Sequence, residues 1–195
     1  MASEKRSAAF NLRMAKSLID DVAEQTKDVV RFTELAIEGK GSIFKAAGEI
    51  GRLNADLESA IDLANEASKV EPSIQLDDGT TCETVIAQAR YQAGLLNFDL
   101  GHWDKAQRHF EDSHKIIPTQ ETAFNIALCL YNQVYAKGGG ARYIRGLDGQ
   151  KIYYAPIFAK KKARAEVKSA FERVINMDPD SDLAVEAGKI IIRLK

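Results

Sequence analysis

Apolar positions recur every three or four residues along most of the chain, and that period predicts α-helix nearly throughout. From Ser3 to Glu38, Phe10, Met14, Leu18, Val22, Val29 and Ala36 follow at spacings of four or seven, the mark of a long amphipathic helix that Gly39 and Gly41 end. Lys16 and Gln25 interrupt a clean heptad along that stripe, so packing onto the next segment is the expected use of this helix, with a coiled-coil arm or homodimer as the other. Ile43, Ile50, Leu57 and Ala64 recur every seven residues, so that Ser42 to Val70 also reads as one long helix. Three of the four prolines, Pro72, Pro118 and Pro179, follow helix-like stretches; the fourth is Pro156.

Residues Ala87 to Gln120 read as a helical hairpin: a helix to about Asp99, a turn at Leu100-Gly101-His102 and a second helix stopped by Pro118. Ala93, Gly94 and Ala106 let two helices approach closely, while Trp103 and Phe110, seven apart, share a face of the second helix. Gly101 supplies the left-handed residue at the first helix's end.

With Gly94, Gly101, Ala106, Phe110 and Pro118 in place and an aromatic at Trp103, this segment resembles the tetratricopeptide repeat, whose period is about 34 residues. It departs from the family at Arg90, where a large apolar residue is usual, and at Ala93 and Ser113. A weaker copy lies over 41–74, with Phe44, Ala47, Gly48, Ala60, Ala67 and Pro72 on the frame but Ala55 in place of the turn glycine. A split copy spans 121–181, with Phe124, Ala127 and Tyr131 before an insertion at 134–162 and Phe171 and Pro179 after it. The segment 182–195 reads as the helix that caps such an array. The expected fold is therefore all-α: an amino-terminal helix over 1–40 and a tetratricopeptide-like solenoid over 41–195, carrying a small β-hairpin insertion. In the 75–86 linker Thr80 or Thr81 reads as a helix N-cap, Thr81 standing three residues before Thr84.

The insertion breaks the helical rhythm. ARYIR and KIYYA are β-prone, and GLDGQ between them holds Asp148-Gly149, a strong two-strand turn signal. From Lys137 to Arg164 eight basic residues face one acid, in a chain whose overall charge is −1. This basic arm, with Arg142, Tyr143, Arg145, Lys151, Tyr153, Tyr154, Lys160, Lys161 and Lys162, suits an acidic protein surface, or stacked bases of a nucleic acid, as well as it suits a solvated loop.

Other chemistry is thin. The two cysteines, Cys82 and Cys129, form no CxxC pair, so no zinc site or disulfide framework is expected. His102, His109 and His114 lack the i, i+4 pairing of a metal pair on a helix, and Gly138-Gly139-Gly140 lacks the GK[ST] of a phosphate loop. The expectation is a non-enzyme without metal or cofactor. No apolar run is long enough for a bilayer, and MASEKRSAAF lacks the apolar stretch of a secretory signal, so the expected location is cytoplasmic.

The resemblance implies a protein-interaction scaffold whose concave groove, on the family frame, is lined by Gln88, Tyr91, Leu95, Phe98 and Asp99 of one repeat and Thr122, Asn125, Cys129 and Asn132 of the next. A partner protein or peptide would lie there, held by Tyr91 and Phe98 and oriented by the two asparagines. The carboxylate clamp of chaperone-binding members is disfavoured, since Glu49 follows Lys45 where an asparagine is wanted. Polyanion binding through the basic arm and self-assembly through the amino-terminal helix are the alternatives.

Overall fold

The computed structural model describes residues 2–135, 142–145, 151–154 and 161–194. Among these, seven helices form in chain order: α1 (Ala2–Ile37), α2 (Ile43–Val70), α3 (Cys82–Asp99), α4 (Trp103–Ile116), α5 (Gln120–Tyr135), α6 (Lys161–Met177) and α7 (Asp182–Arg193). Between α5 and α6, β1 (Arg142–Arg145) pairs antiparallel with β2 (Lys151–Tyr154). The chain divides into two compact units, Met1–Leu96 and Asn97–Lys195.

In the first unit α1 and α2 pack along their length as an antiparallel pair, tied at one end by Lys5 to Glu71 at 2.6 Å and further along by Arg52 to Gln25. The seam on α1 is Ala8, Leu12, Ala15, Ile19, Val22, Thr26 and Val29, alternating four and three, with Ala36 continuing it. Val22, Val29 and Ala36 are common to this seam and the stripe read in the sequence, while the earlier part of the seam runs in a different phase; Phe10 and Met14 point outward, and Lys16 and Gln25 fall beside the seam and do not interrupt it. On α2 the seam is Ala46, Leu53, Leu57, Ala60, Ala64 and Ala67. Burying each Leu or Ile contributes about 1.5–3 kcal/mol, and the alanines let the two backbones come close.

The weak repeat at 41–74 is therefore corrected. Ala55 lies inside one continuous helix because nothing there adopts the left-handed backbone a turn needs. The 1–40/41–195 boundary falls with it, since α1 and α2 belong to one unit. Real turns have the required glycines: Gly39 (φ 74°) and Gly101 (φ 77°) each close a Schellman cap, with Lys40 N–H donating to Leu35 C=O at 2.8 Å and His102 N–H to Asn97 C=O at 2.8 Å. Ser42 caps α2, Thr81 caps α3 through Thr84 N–H at 3.2 Å, and Ser181 caps α7 through Ala184 N–H at 3.1 Å. Arg90, which is unusual for the family frame, pairs with Glu58 on α2 at 2.8 Å.

In the second unit α5 packs against both α4 and α6, and α7 covers α6. Phe110, Leu128, Phe171, Val174 and Ile190 form its core, with Phe124 meeting Phe171 edge to face at 5.8 Å. Gln120 donates to the carbonyls of Val174 and Asp178, fixing the start of α5 on the end of α6 across an interval of more than fifty residues. The β1–β2 register sets Arg142 opposite Tyr154, Tyr143 opposite Tyr153, Ile144 opposite Ile152 and Arg145 opposite Lys151, and β2 lies against α5. The Asp148-Gly149 turn, Gly138 to Gly140, Pro156 and Lys160 lie outside the described residues. The insertion is shorter than its expected 134–162 span, because Val134 and Tyr135 belong to α5, and Lys161 and Lys162 open α6.

Candidate functional site

The residues assigned to a concave groove separate on the structure. Gln88, Tyr91 and Leu95 lie in the first unit, Gln88 exposed and the other two half-buried, while the remainder lie in the second unit. There Phe98, Thr122, Asn125, Cys129 and Asn132 are between 0% and 4% exposed, and only Asp99 is open to solvent. Thr122 is held in a knot at the start of α5: its Oγ1 accepts from Thr119 N–H, donates to the Thr119 carbonyl at 2.9 Å and meets His114 Nδ1 at 2.6 Å. Burial pushes the Cys129 thiol far above its ordinary range, with the charge of Glu111 adding to the effect, so it is a packed apolar group. As they stand, these five side chains offer no surface to a partner.

The open face of α5 is a different one. Ala123, Ile126 and Leu130, at i, i+3 and i+7, are half-buried and floor a groove of about 630 Å³ between α4 and α6. Gln107, Glu111, His114 and Lys115 form its α4 wall; Ala170, Arg173, Asn176 and Met177 form its α6 wall. All three helices belong to the second unit.

The α4 wall is already organised by hydrogen bonds. Gln133 donates to Gln107 Oε1 at 2.7 Å and to the Trp103 carbonyl at 3.3 Å, while Gln107 donates to Glu111 at 2.7 Å. Lys115 pairs with Asp112 at 2.8 Å, and the carboxylate holds its ammonium in the charged form. On the α6 wall Arg173 is exposed and makes no ion pair or hydrogen bond among the described residues. An apolar floor, one prepaired wall and one solvent-facing guanidinium can hold an amphipathic segment and fix its orientation through a carboxylate.

The sequence carried a signal for this face. From Thr122 to Leu130, α5 is apolar on nearly every side, and such a helix has both faces covered or leaves one for a partner.

The remaining candidates stay dispersed. His102 is the exposed N-cap position of α4 and makes no side-chain cap bond, and among the described residues no three His, Cys, Asp or Glu side chains gather as a metal ion requires. No helix among them is long and apolar enough to cross a membrane. Searches against protein-family models and against curated proteins both found no match to this chain.

Proposed function

We propose that this protein is a non-catalytic docking scaffold that holds an apolar-faced segment of a partner protein in the α4–α5–α6 groove. The observation that carries this reading is the row Ala123, Ile126 and Leu130, an apolar stripe left half-covered between α4 and α6. Grooves of this kind take amphipathic helices through anchors at i, i+3/i+4 and i+7. Met177, partly exposed on the α6 wall, extends the apolar contact.

On this reading α4 to α6 belong to a tetratricopeptide-like array whose last hairpin, α5 with α6, is split by the insertion, and α7 is the cap. The glycine turn at Gly101, the stop at Pro118 and the packing of α5 on α6 support it. The scaffold works in the reducing cytosol, consistent with two buried, unpaired cysteines.

The charge of the insertion supports a second reading, in which the basic arm takes a polyanion: Arg142, Arg145 and Lys151 all belong to its two paired strands. Affinity for heparin or single-stranded RNA that falls steeply with salt, and disappears on Arg145→Glu with Lys151→Glu, would establish it.

The groove is tested by selection from a phage-displayed random peptide library on the intact protein, with counter-selection on Leu130→Glu. Enrichment of sequences with two or three apolar anchors at helical spacing supports docking in the groove. Enrichment of nothing, or of sequences that bind Leu130→Glu equally well, contradicts it.

A further inference from the structure

Unit one has an outward face that its own seam does not use. On α2, opposite the buried seam, Phe44 is 91% exposed and Ile43 67% exposed, and Ala47, Gly48, Gly51 and Ala55 continue the same face in the open. A Cβ built at Gly48 or Gly51 would meet nothing within 4 Å, so no neighbour in this chain requires glycine there. Each glycine nevertheless costs the helix about 1 kcal/mol relative to alanine. A large apolar knob and a shallow hole seven residues away, on one face of one helix, make a surface that is complementary to itself.

We propose that this face pairs with a second copy of the chain, α2 against α2, antiparallel about a two-fold axis between Ala47 and Gly48. That axis places Phe44 of one copy over Gly51 of the other and Ala47 over Gly48, so both knobs enter both holes in one isologous contact. Charge fits the same arrangement. An antiparallel two-fold brings like flanks together, and Lys45 of one copy comes within one residue step of Glu49 of the other, whose carboxylate also pairs with Arg52 of its own chain at 3.1 Å. Lys45 has its ammonium over the Phe32 ring at 5.2 Å and makes no ion pair among the described residues. A lipid surface fits less well, because Glu34, Glu38 and Glu49 match Lys40, Lys45 and Arg52 in number and leave no net positive charge around the patch. The exposed area of Phe44, Ile43 and the small-residue stripe is on the order of 400–500 Å² per copy, which sets the contact at the weak end of specific interfaces.

This proposal stands apart from the groove, which belongs to the other unit. Its test is sedimentation velocity of the full chain from about 1 to about 200 μM, the range in which so small an interface is half-formed. Wild type should move from monomer to dimer across that range. Gly51→Leu should remain monomeric throughout while melting no lower than wild type, because leucine fills the hole without meeting any neighbour and favours the helix. Lys45→Glu should weaken the dimer about tenfold, and Lys45→Glu with Glu49→Lys should restore it. A monomer at every concentration, or a dimer that Gly51→Leu leaves unchanged, overturns the proposal.

Discussion

Asn132 is fully buried, and neither its amide nitrogen nor its amide oxygen has a hydrogen-bond partner among the described residues; the Tyr135 hydroxyl one turn on is buried and unpartnered as well. An orphaned buried polar group costs about 1–3 kcal/mol, and an apolar group of the same shape removes that cost. Asn132→Leu should therefore raise the unfolding free energy by about 1–2 kcal/mol in urea titration. On the family frame the position of Asn132 faces a groove, which makes it a ligand-orienting residue in the sequence. Position on a helix frame gives direction only, and it does not reveal whether that direction ends in solvent or in packed side chains. The thiols follow the same logic. Desolvation raises both Cys82 and Cys129, so neither should react with an aromatic disulfide at mildly alkaline pH until denaturant is added. Rapid labelling of native protein would show that one of these sites is open.

Among the elements, those with caps were legible from local chemistry. Gly39, Gly101, Pro118, Thr81 and Pro179 act where the sequence placed them, since a positive φ or a missing N–H is decided by one residue. Replacing Gly101 with alanine should cost about 1–2 kcal/mol by thermal melting, the penalty of a Cβ in left-handed backbone. Phase was harder to read. On α1 the stripe through Phe10, Met14 and Leu18 competes with the seam through Ala8, Leu12, Ala15 and Ile19, and the true seam is rich in alanine, which carries little apolar signal. Leu57→Ala in the α2 seam should destabilise by about 2–5 kcal/mol, against almost nothing for Phe44→Ala on the outward face.

The segment between α2 and α3 is latched onto α1 by charge. Asp78 pairs with Lys16 and accepts from Thr80 N–H, which holds its carboxyl far below the usual range, and Lys5 with Ser73 lowers Glu71. Folded values below the unfolded ones mean that the latch contributes fully above the ordinary carboxylate range and is lost only as pH falls towards the folded values. Amide exchange of Ser73 to Thr80 should thus speed up on Asp78→Asn, with the global melting temperature nearly unchanged, as expected for exposed pairs.

At the scale of the whole molecule, periodicity gave the all-α class and the position of most helices, and composition gave the unusual insertion. It could not give the division at Leu96–Asn97, which falls inside α3, because the share of a helix that each unit holds depends on long-range packing. The open groove was hidden for the same reason: Ala123, Ile126 and Leu130 look like core in the sequence, and only the placing of α6, delivered across the insertion, leaves them half-covered. Arg173 gains its meaning from that same placement, and Arg173→Glu should weaken a selected acidic peptide about tenfold or more while leaving the fold intact.

The most direct test of the docking account is chemical-shift mapping of isotope-labelled protein titrated with a peptide selected on it. The account predicts that the largest shifts fall on Ala123, Ile126, Leu130, Ala170, Arg173 and Met177, and that Leu130→Glu abolishes them. Shifts centred instead on Gln88, Tyr91 and Leu95 or on the β1–β2 strands, with the groove unmoved, would contradict it.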